Sequence, residues 1–470
     1  MILSLQKADK EKLADAITAA DGEIPAALYS HLGFPDRHGF LERGSEAAVS
    51  SPTFWPLLIA VLRAIDKSVE SMSPFLFGHN LDHWKNVRKH FAETGFRLHR
   101  DRGTVVFKPP AISRQAWFAY AEDQGFSALE QRGQYHHRFF QNLSMIHEHD
   151  CELDWISPRV IDDIADELGG PLTVGMCPIV EDMTIDGAEV LLLPGALRIV
   201  LDPAKPNRFL VDDSKSSKEE LKRIVEDAVD QAVSGKVDIL LFPELTMPGF
   251  LLQHLQECLQ DRYLKNWRMP KLTLAGSWLQ KTSEGCFNEA VLINDRGGVL
   301  LRQRKMHRYA MKSYEQPKYG LQQLFGGHSV EESADITPRR MIFLDSRSAN
   351  LRLGILICED LCQPAPGLSA VRDAGASVVL SPVMAGPLTA GGGFSVHALD
   401  LTQDPGALVC VANSGALASH RWQHERLAGR PPIGLVAAPL FGDGFPYIRD
   451  LKLEKSGKLL IMKLQPGIQD

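Results

Sequence analysis

The sequence predicts an α/β layered domain over residues 171–470, preceded by a mainly helical region over residues 1–170. Two observations carry this reading. From Leu172 onward, short apolar runs bounded by turn residues alternate with amphipathic stretches, the pattern of strands and helices packed in layers. Before about residue 170 the apolar residues recur instead at helical spacing, between loops rich in Gly, Pro and Ser.

The helical pattern covers residues 8–20, 54–72 and 80–93, interrupted by one β-like segment at 103–107. A capped helix from Ser157, closed by Gly169-Gly170-Pro171, marks the expected domain boundary. Beyond it, strands are expected at 173–180, 190–193, 197–201, 237–242, 272–278, 286–293, 340–344, 353–357, 377–380, 407–412 and 459–464. Helices are expected at 217–234, 249–262, 366–374 and 397–403. The clearest unit is the amphipathic run 217–234, broken at Gly235 and followed by the buried strand Val237-Asp238-Ile239-Leu240-Leu241-Phe242.

Composition narrows the function classes. With 44% hydrophobic and 23% charged residues, the 470-residue chain is globular and long enough for two domains. A net charge of -7 carries no basic stripe for nucleic acid. The longest apolar run, 55–64, contains Arg63 and is too short to span a membrane, and the N-terminus lacks a secretory core, so a cytoplasmic location is expected. Seven scattered cysteines without paired CxxC spacing fit a reduced compartment, where one of them can be a nucleophile.

Three segments place a reactive group at or just beyond a strand end. In Ile239-Leu240-Leu241-Phe242-Pro243-Glu244, Pro243 stops the strand and Glu244 emerges partly desolvated, which suits a general base. Val299 to His307 runs from a strand into a basic stretch holding Lys305; taken alone, this is a solvated edge. In Leu353-Gly354-Ile355-Leu356-Ile357-Cys358-Glu359-Asp360, an apolar strand ends on Cys358. Such a cysteine is either an inert small hydrophobe or the nucleophile of a tight elbow, with the Glu359 N–H facing an oxyanion.

Together the three contexts, Phe242-Pro243-Glu244, Arg304-Lys305-Met306-His307 and Gly354 to Asp360, resemble the nitrilase, or carbon–nitrogen hydrolase, superfamily, in the family's order. The resemblance covers about residues 172–466 and implies an α-β-β-α sandwich. It extends to Gly375 to Pro382, to Leu408-Val409-Cys410-Val411-Ala412-Asn413, and to a closing arm at 457–461. It implies Cys358 as nucleophile, Glu244 as general base, and Lys305 with the Glu359 backbone N–H as oxyanion donors. The implied substrate is a small amide, carbamoyl compound or nitrile, with no metal or organic cofactor. A second glutamate positions the lysine in many members, and Glu315 is the candidate here.

The resemblance also implies homodimers or higher homo-oligomers, through the face bearing the cysteine helix. Two departures mark a divergent member: 397–404 lacks the family's Arg and Glu, and Asn413 is followed by Ser414. The Cys358-Glu359-Asp360 triplet most resembles glutaminase domains of glutamine-dependent NAD synthetases, although no ATP-pyrophosphatase loop follows to receive ammonia.

Residues 1–170 resemble no family. His136, His137, His147, His149, Asp150 and Cys151 cluster, but at spacings that fit no common zinc pattern. This region is a candidate protein-partner surface, oligomerisation element or lid. The competing expectation is a catalytically silent nitrilase-like scaffold that works through it.

Overall fold

The computed structural model describes residues 151–161, 172–186, 189–192, 197–205, 207–213, 218–346, 351–403, 407–441, 445–452 and 459–464, with strands at 104–107 and 143–146. These residues fall into two compact units. In the first, β1 (Thr104–Phe107) pairs antiparallel with β2 (Leu143–Ile146). The β-like segment expected at 103–107 is thus a strand, while the helices expected at 8–20, 54–72 and 80–93 lie outside the described residues.

The second unit opens with β3 (Glu152–Ile156), β4 (Leu172–Met176), β5 (Met183–Asp186), β6 (Glu189–Leu192), β7 (Leu197–Leu201) and β8 (Arg208–Asp213). Helix α1 (Lys218–Ser234) follows. It carries Glu219 and Glu220 in its first turn, where the helix dipole favours negative charge. Leu221, Val225, Ala228, Val229 and Ala232 form its buried stripe at helical spacing. The chain then turns into β9 (Ile239–Leu241), every residue of which is buried. Helix α2 (Gly249–Leu264) packs on α1 and on β10 (Leu272–Thr282), which leads to β11 (Gly285–Asn294) and β12 (Val299–Arg304).

After β12 come β13 (Ala310–Met311), the short helix α3 (Gln322–Phe325), β14 (Val330–Glu332), β15 (Arg340–Asp345), β16 (Arg352–Ile355) and the one-turn helix α4 (Glu359–Cys362). The chain continues with α5 (Ser369–Ala374), β17 (Val378–Val383), α6 (Gly393–Gln403), β18 (Leu408–Asn413) and α7 (Gly415–His424). It ends on β19 (Pro432–Phe441), β20 (Phe445–Lys452) and β21 (Leu460–Leu464).

Three sheets result. The first has the order β12-β11-β10-β9-β4-β21 and the second β20-β19-β18-β17-β16-β15-β3. They meet through β10 against β17 and β12 against β15, where Gln303 donates to Arg340 O (2.7 Å) and accepts from Ile342 N (3.0 Å). Helix α2, with α1 packed on it, lies on the first sheet and α6 on the second, giving the expected α-β-β-α layering. Strand β3, on the N-terminal side of the expected boundary, pairs in parallel with β15 from Glu152↔Arg340 to Ile156↔Leu344.

The third sheet, β13-β14-β8-β7-β6-β5, joins two distant segments: β14 pairs in parallel with β8. Its hairpin β6–β7 matches the runs expected at 190–193 and 197–201. Its strand β8 buries only Phe209 and Val211, at alternate positions of a one-sided strand. No helix among the described residues is long and apolar enough to cross a membrane.

Candidate active site

The loops following β9, β12 and β16 bring Glu244, Lys305 and Cys358 to one buried point; the three are 2%, 2% and 4% exposed. Each loop is shaped by its own sequence. Pro243 ends β9, and its carbonyl accepts from Thr246 Oγ1 (2.9 Å) and Ser277 N (3.2 Å). The bulge in β10 makes room for this turn, since a Cβ on Gly276 (φ +68°) would lie 2.1 Å from Pro243 O. Lys305 leaves β12 with its N–H bonded to Asn288 O (2.8 Å).

Cys358 sits at φ 51°, ψ -106°, a positive-φ conformation rare for a residue with a Cβ, immediately before α4. The expected elbow is therefore present. The Cys358 N–H donates to Pro382 O (3.0 Å), and Glu359 opens the first turn of α4.

A fourth group completes the cluster, and it is not the one expected. Glu315 accepts from Lys312 N (2.9 Å) and does not meet Lys305. The second carboxylate on Lys305 is Glu332, whose Oε2 lies 2.6 Å from Nζ, opposite Glu244 Oε1 at 2.7 Å. Glu315 precedes a short 3-10 turn, whereas β14 inserts Glu332 inward beside β8. Asn288, also unanticipated, donates from Nδ2 to Glu244 Oε1 (2.9 Å) and Glu332 Oε1 (2.7 Å), bracing both carboxylates. Met384 N donates to Glu244 Oε2 (3.0 Å) and Tyr309 N to Glu332 Oε2 (3.3 Å).

The electrostatics follow from burial. Desolvation raises the Glu244 carboxyl above its ordinary range; Lys305 opposes this and Glu332 adds to it. Burial works against the Lys305 charge, but the two carboxylates outweigh it and hold the ammonium well above the usual lysine range. Burial also pushes the Cys358 thiol well up, reinforced by the Glu244 carboxylate and opposed by Lys305. Burial and the Glu244 carboxylate thus both favour the protonated thiol.

A latch ties the lysine loop to the cysteine loop. The buried Asp360 carboxylate accepts from Met306 N (3.0 and 3.2 Å) and Ile357 N (3.3 Å), and faces His307 Nδ1 (3.0 Å). His307 Nε2 donates to Ala365 O (2.8 Å), on the far side of α4.

Outside this cluster, Glu226 on α1 and His254 and Cys258 on α2 bring three ligand-type atoms within 4.8 Å of one another. His254 Nε2 lies 2.9 Å from Glu226 Oε1 and 3.6 Å from Cys258 Sγ. Of the N-terminal metal candidates, Cys151 is buried, and His136, His137, His147, His149 and Asp150 lie outside the described residues.

Residues 211–391 match the family model for carbon–nitrogen hydrolases. No curated protein matches the sequence. Solved structures that align with the chain include an amidase from Nesterenkonia sp., 15% identical, covering 64% of this chain and 92% of its own, with a TM-score of 0.36. Saccharomyces cerevisiae Nit3, a member of branch 10 of the nitrilase superfamily, is 10% identical, covering 63% of this chain and 91% of its own, with a TM-score of 0.38. The matched segment holds Glu244, Lys305, Glu332 and Cys358, and its family is the one that the strand-end motifs resemble.

Proposed function

We propose that the chain hydrolyses a non-peptide C–N bond of a small amide or nitrile through a thioester on Cys358. The observation that carries this is the buried contact of Glu244 with both Lys305 Nζ (2.7 Å) and the Cys358 thiol, which joins base, cation and nucleophile. For an amide, Glu244 takes the thiol proton as Sγ attacks the carbonyl carbon. Lys305 Nζ and the Glu359 N–H receive the developing oxyanion. The tetrahedral adduct collapses, the C–N bond breaks, and Glu244 returns the proton to the leaving ammonia. Glu244 then takes a proton from water, whose oxygen attacks the thioester. The C–S bond breaks, the acid departs, and the sulfur regains a proton.

A silent scaffold explains this arrangement poorly. Buried charges and a positive-φ cysteine each cost stability, and such costs persist where function holds them in place. The test compares ammonia release from a panel of amides by the wild type and Cys358→Ala, with intact-mass detection of the acyl-enzyme. The variant should lose at least ~1,000-fold in rate and form no adduct. Retained turnover in Cys358→Ala, or an acyl group mapped to Cys362, would sink the reading.

A further inference from the structure

We infer that the acyl part of the substrate is short and uncharged, which sets this site apart from the glutamine hydrolysis that the Cys358-Glu359-Asp360 triplet suggests. The inference rests on the hydrolase reading above and concerns the rest of the same cavity. The cavity beside Cys358 is about 30 Å³. A water needs about 10–15 Å³ in such a space, so the enclosed room is for about two or three water-sized groups, which favours a short acyl part.

The wall facing the reactive cluster is mostly apolar, with Tyr309 as its one phenol: Ile199 on β7, Phe209 on β8, Met311 on β13, Leu321, Phe325 on α3 and Leu417 on α7 supply the carbon surface. All six are buried. The Phe209 and Phe325 rings close one end, with centroids 5.6 Å apart and planes tilted by 45°. Among the described residues, the charged groups lining the cavity are Glu244, Lys305 and Glu332, and they are already paired with one another.

A substrate carboxylate would meet apolar carbon and a cluster whose two carboxylates outnumber its one lysine. A substrate ammonium would meet Lys305, seated between the same carboxylates that the ammonium would seek. Neither ionic end finds a partner, and an unpaired charge out of water is heavily penalised. Glutamine carries both charges. A neutral aliphatic acyl group instead replaces water against Ile199, Phe209 and Phe325 at a gain proportional to the area it buries.

Two measurements on the full chain test this. The first compares kcat/KM for propionamide and isobutyramide with that for succinamate, β-alaninamide and glutamine. The neutral amides should lead by at least ~100-fold, as expected where a charge is buried without a partner. Glutamine or succinamate within about tenfold of propionamide would overturn the inference.

The second needs no turnover. Alkylation of Cys358 by iodoacetamide and by iodoacetate is followed by peptide mass mapping, each rate taken relative to a free thiol. The neutral reagent should gain at least about tenfold at Cys358 over its advantage in solution; an unchanged ratio overturns the inference. If the neutral preference holds while no amide is hydrolysed, the hydrolase reading fails and the neutral-ligand pocket stands. Phe325→Ala should move the best acyl length upward, and Ile199→Ala, on a separate strand, should do the same if the first variant is unstable.

Discussion

Glu332 shows what a single side chain does at this site. Its carboxylate sits 2.6 Å from Lys305 Nζ and shares Asn288 Nδ2 with Glu244, so it fixes the lysine while raising the neighbouring carboxyl. Glu332→Gln keeps the shape and removes the charge. Turnover should fall by about 10²-fold, the scale of a displaced oxyanion donor. The pH profile separates this from a merely structural loss. In the proposed mechanism Glu244 must be ionised to take the thiol proton, so kcat/KM should fall as pH drops through its raised pKa. Without the Glu332 charge that pKa moves down, and the acid limb of kcat/KM should move to lower pH; an upward move would contradict the arrangement. The sequence holds a signal for this residue. In Val330-Glu331-Glu332, alternate positions face inward, which puts a glutamate beside a buried valine, and a buried carboxylate requires a partner. Proximity to the lysine favours Glu315 instead, because the pairing of β14 with β8 depends on residues more than a hundred positions away. Asn288 leaves a fainter trace, a fully buried amide inside the strand Gly285–Asn294.

Between elements, the decisive contact is Asp360. It receives Met306 N from the loop after β12 and Ile357 N from the elbow, so one carboxylate sets the distance between the lysine and cysteine loops. Asp360→Ala leaves these buried donors without an acceptor. The expected cost is about 3 kcal/mol, read as a Tm lower by roughly 5–10 °C. Turnover should fall at temperatures where the variant is still folded, since Lys305 and Cys358 lose their common reference. Circular dichroism and ammonia release on one preparation check both, and an unchanged Tm with full activity would show that the latch is dispensable. The strand ends that present these loops were legible because 239–242 and 353–357 are continuous apolar runs stopped by Pro243 or by Cys358.

At the scale of the whole chain, what the sequence conceals is pairing between distant segments. Apolar strands such as β17 and β18, buried on both faces, announce themselves. Strands β8 and β14 do not, because β8 buries only two of its six residues and β14 is three residues long. The sheet they build supplies Ile199, Phe209 and Met311 to the cavity, so the wall facing the nucleophile was the part least visible beforehand. The same reasoning bears on where the C-terminal unit begins. Strand β3 occupies the edge of the second sheet, and Trp155 stacks on Phe343 with centroids 4.6 Å apart while the Arg352 guanidinium lies 4.7 Å from the Trp155 ring. Cys151 and Ile161, just outside the strand, are buried. A fragment starting at residue 171 would leave β15 with an unpaired edge and uncover Phe343, conditions that promote strand-to-strand association. A fragment starting at residue 147 keeps both protections. The shorter fragment should therefore elute as aggregate in size-exclusion chromatography and melt several degrees lower, at about 2–4 °C per kcal/mol lost. Equal elution and equal Tm would place the working boundary at 171 and make β3 an accessory strand. Because β15 pairs with β16, which leads into the elbow at Cys358, the shorter fragment should also lose ammonia release before it unfolds.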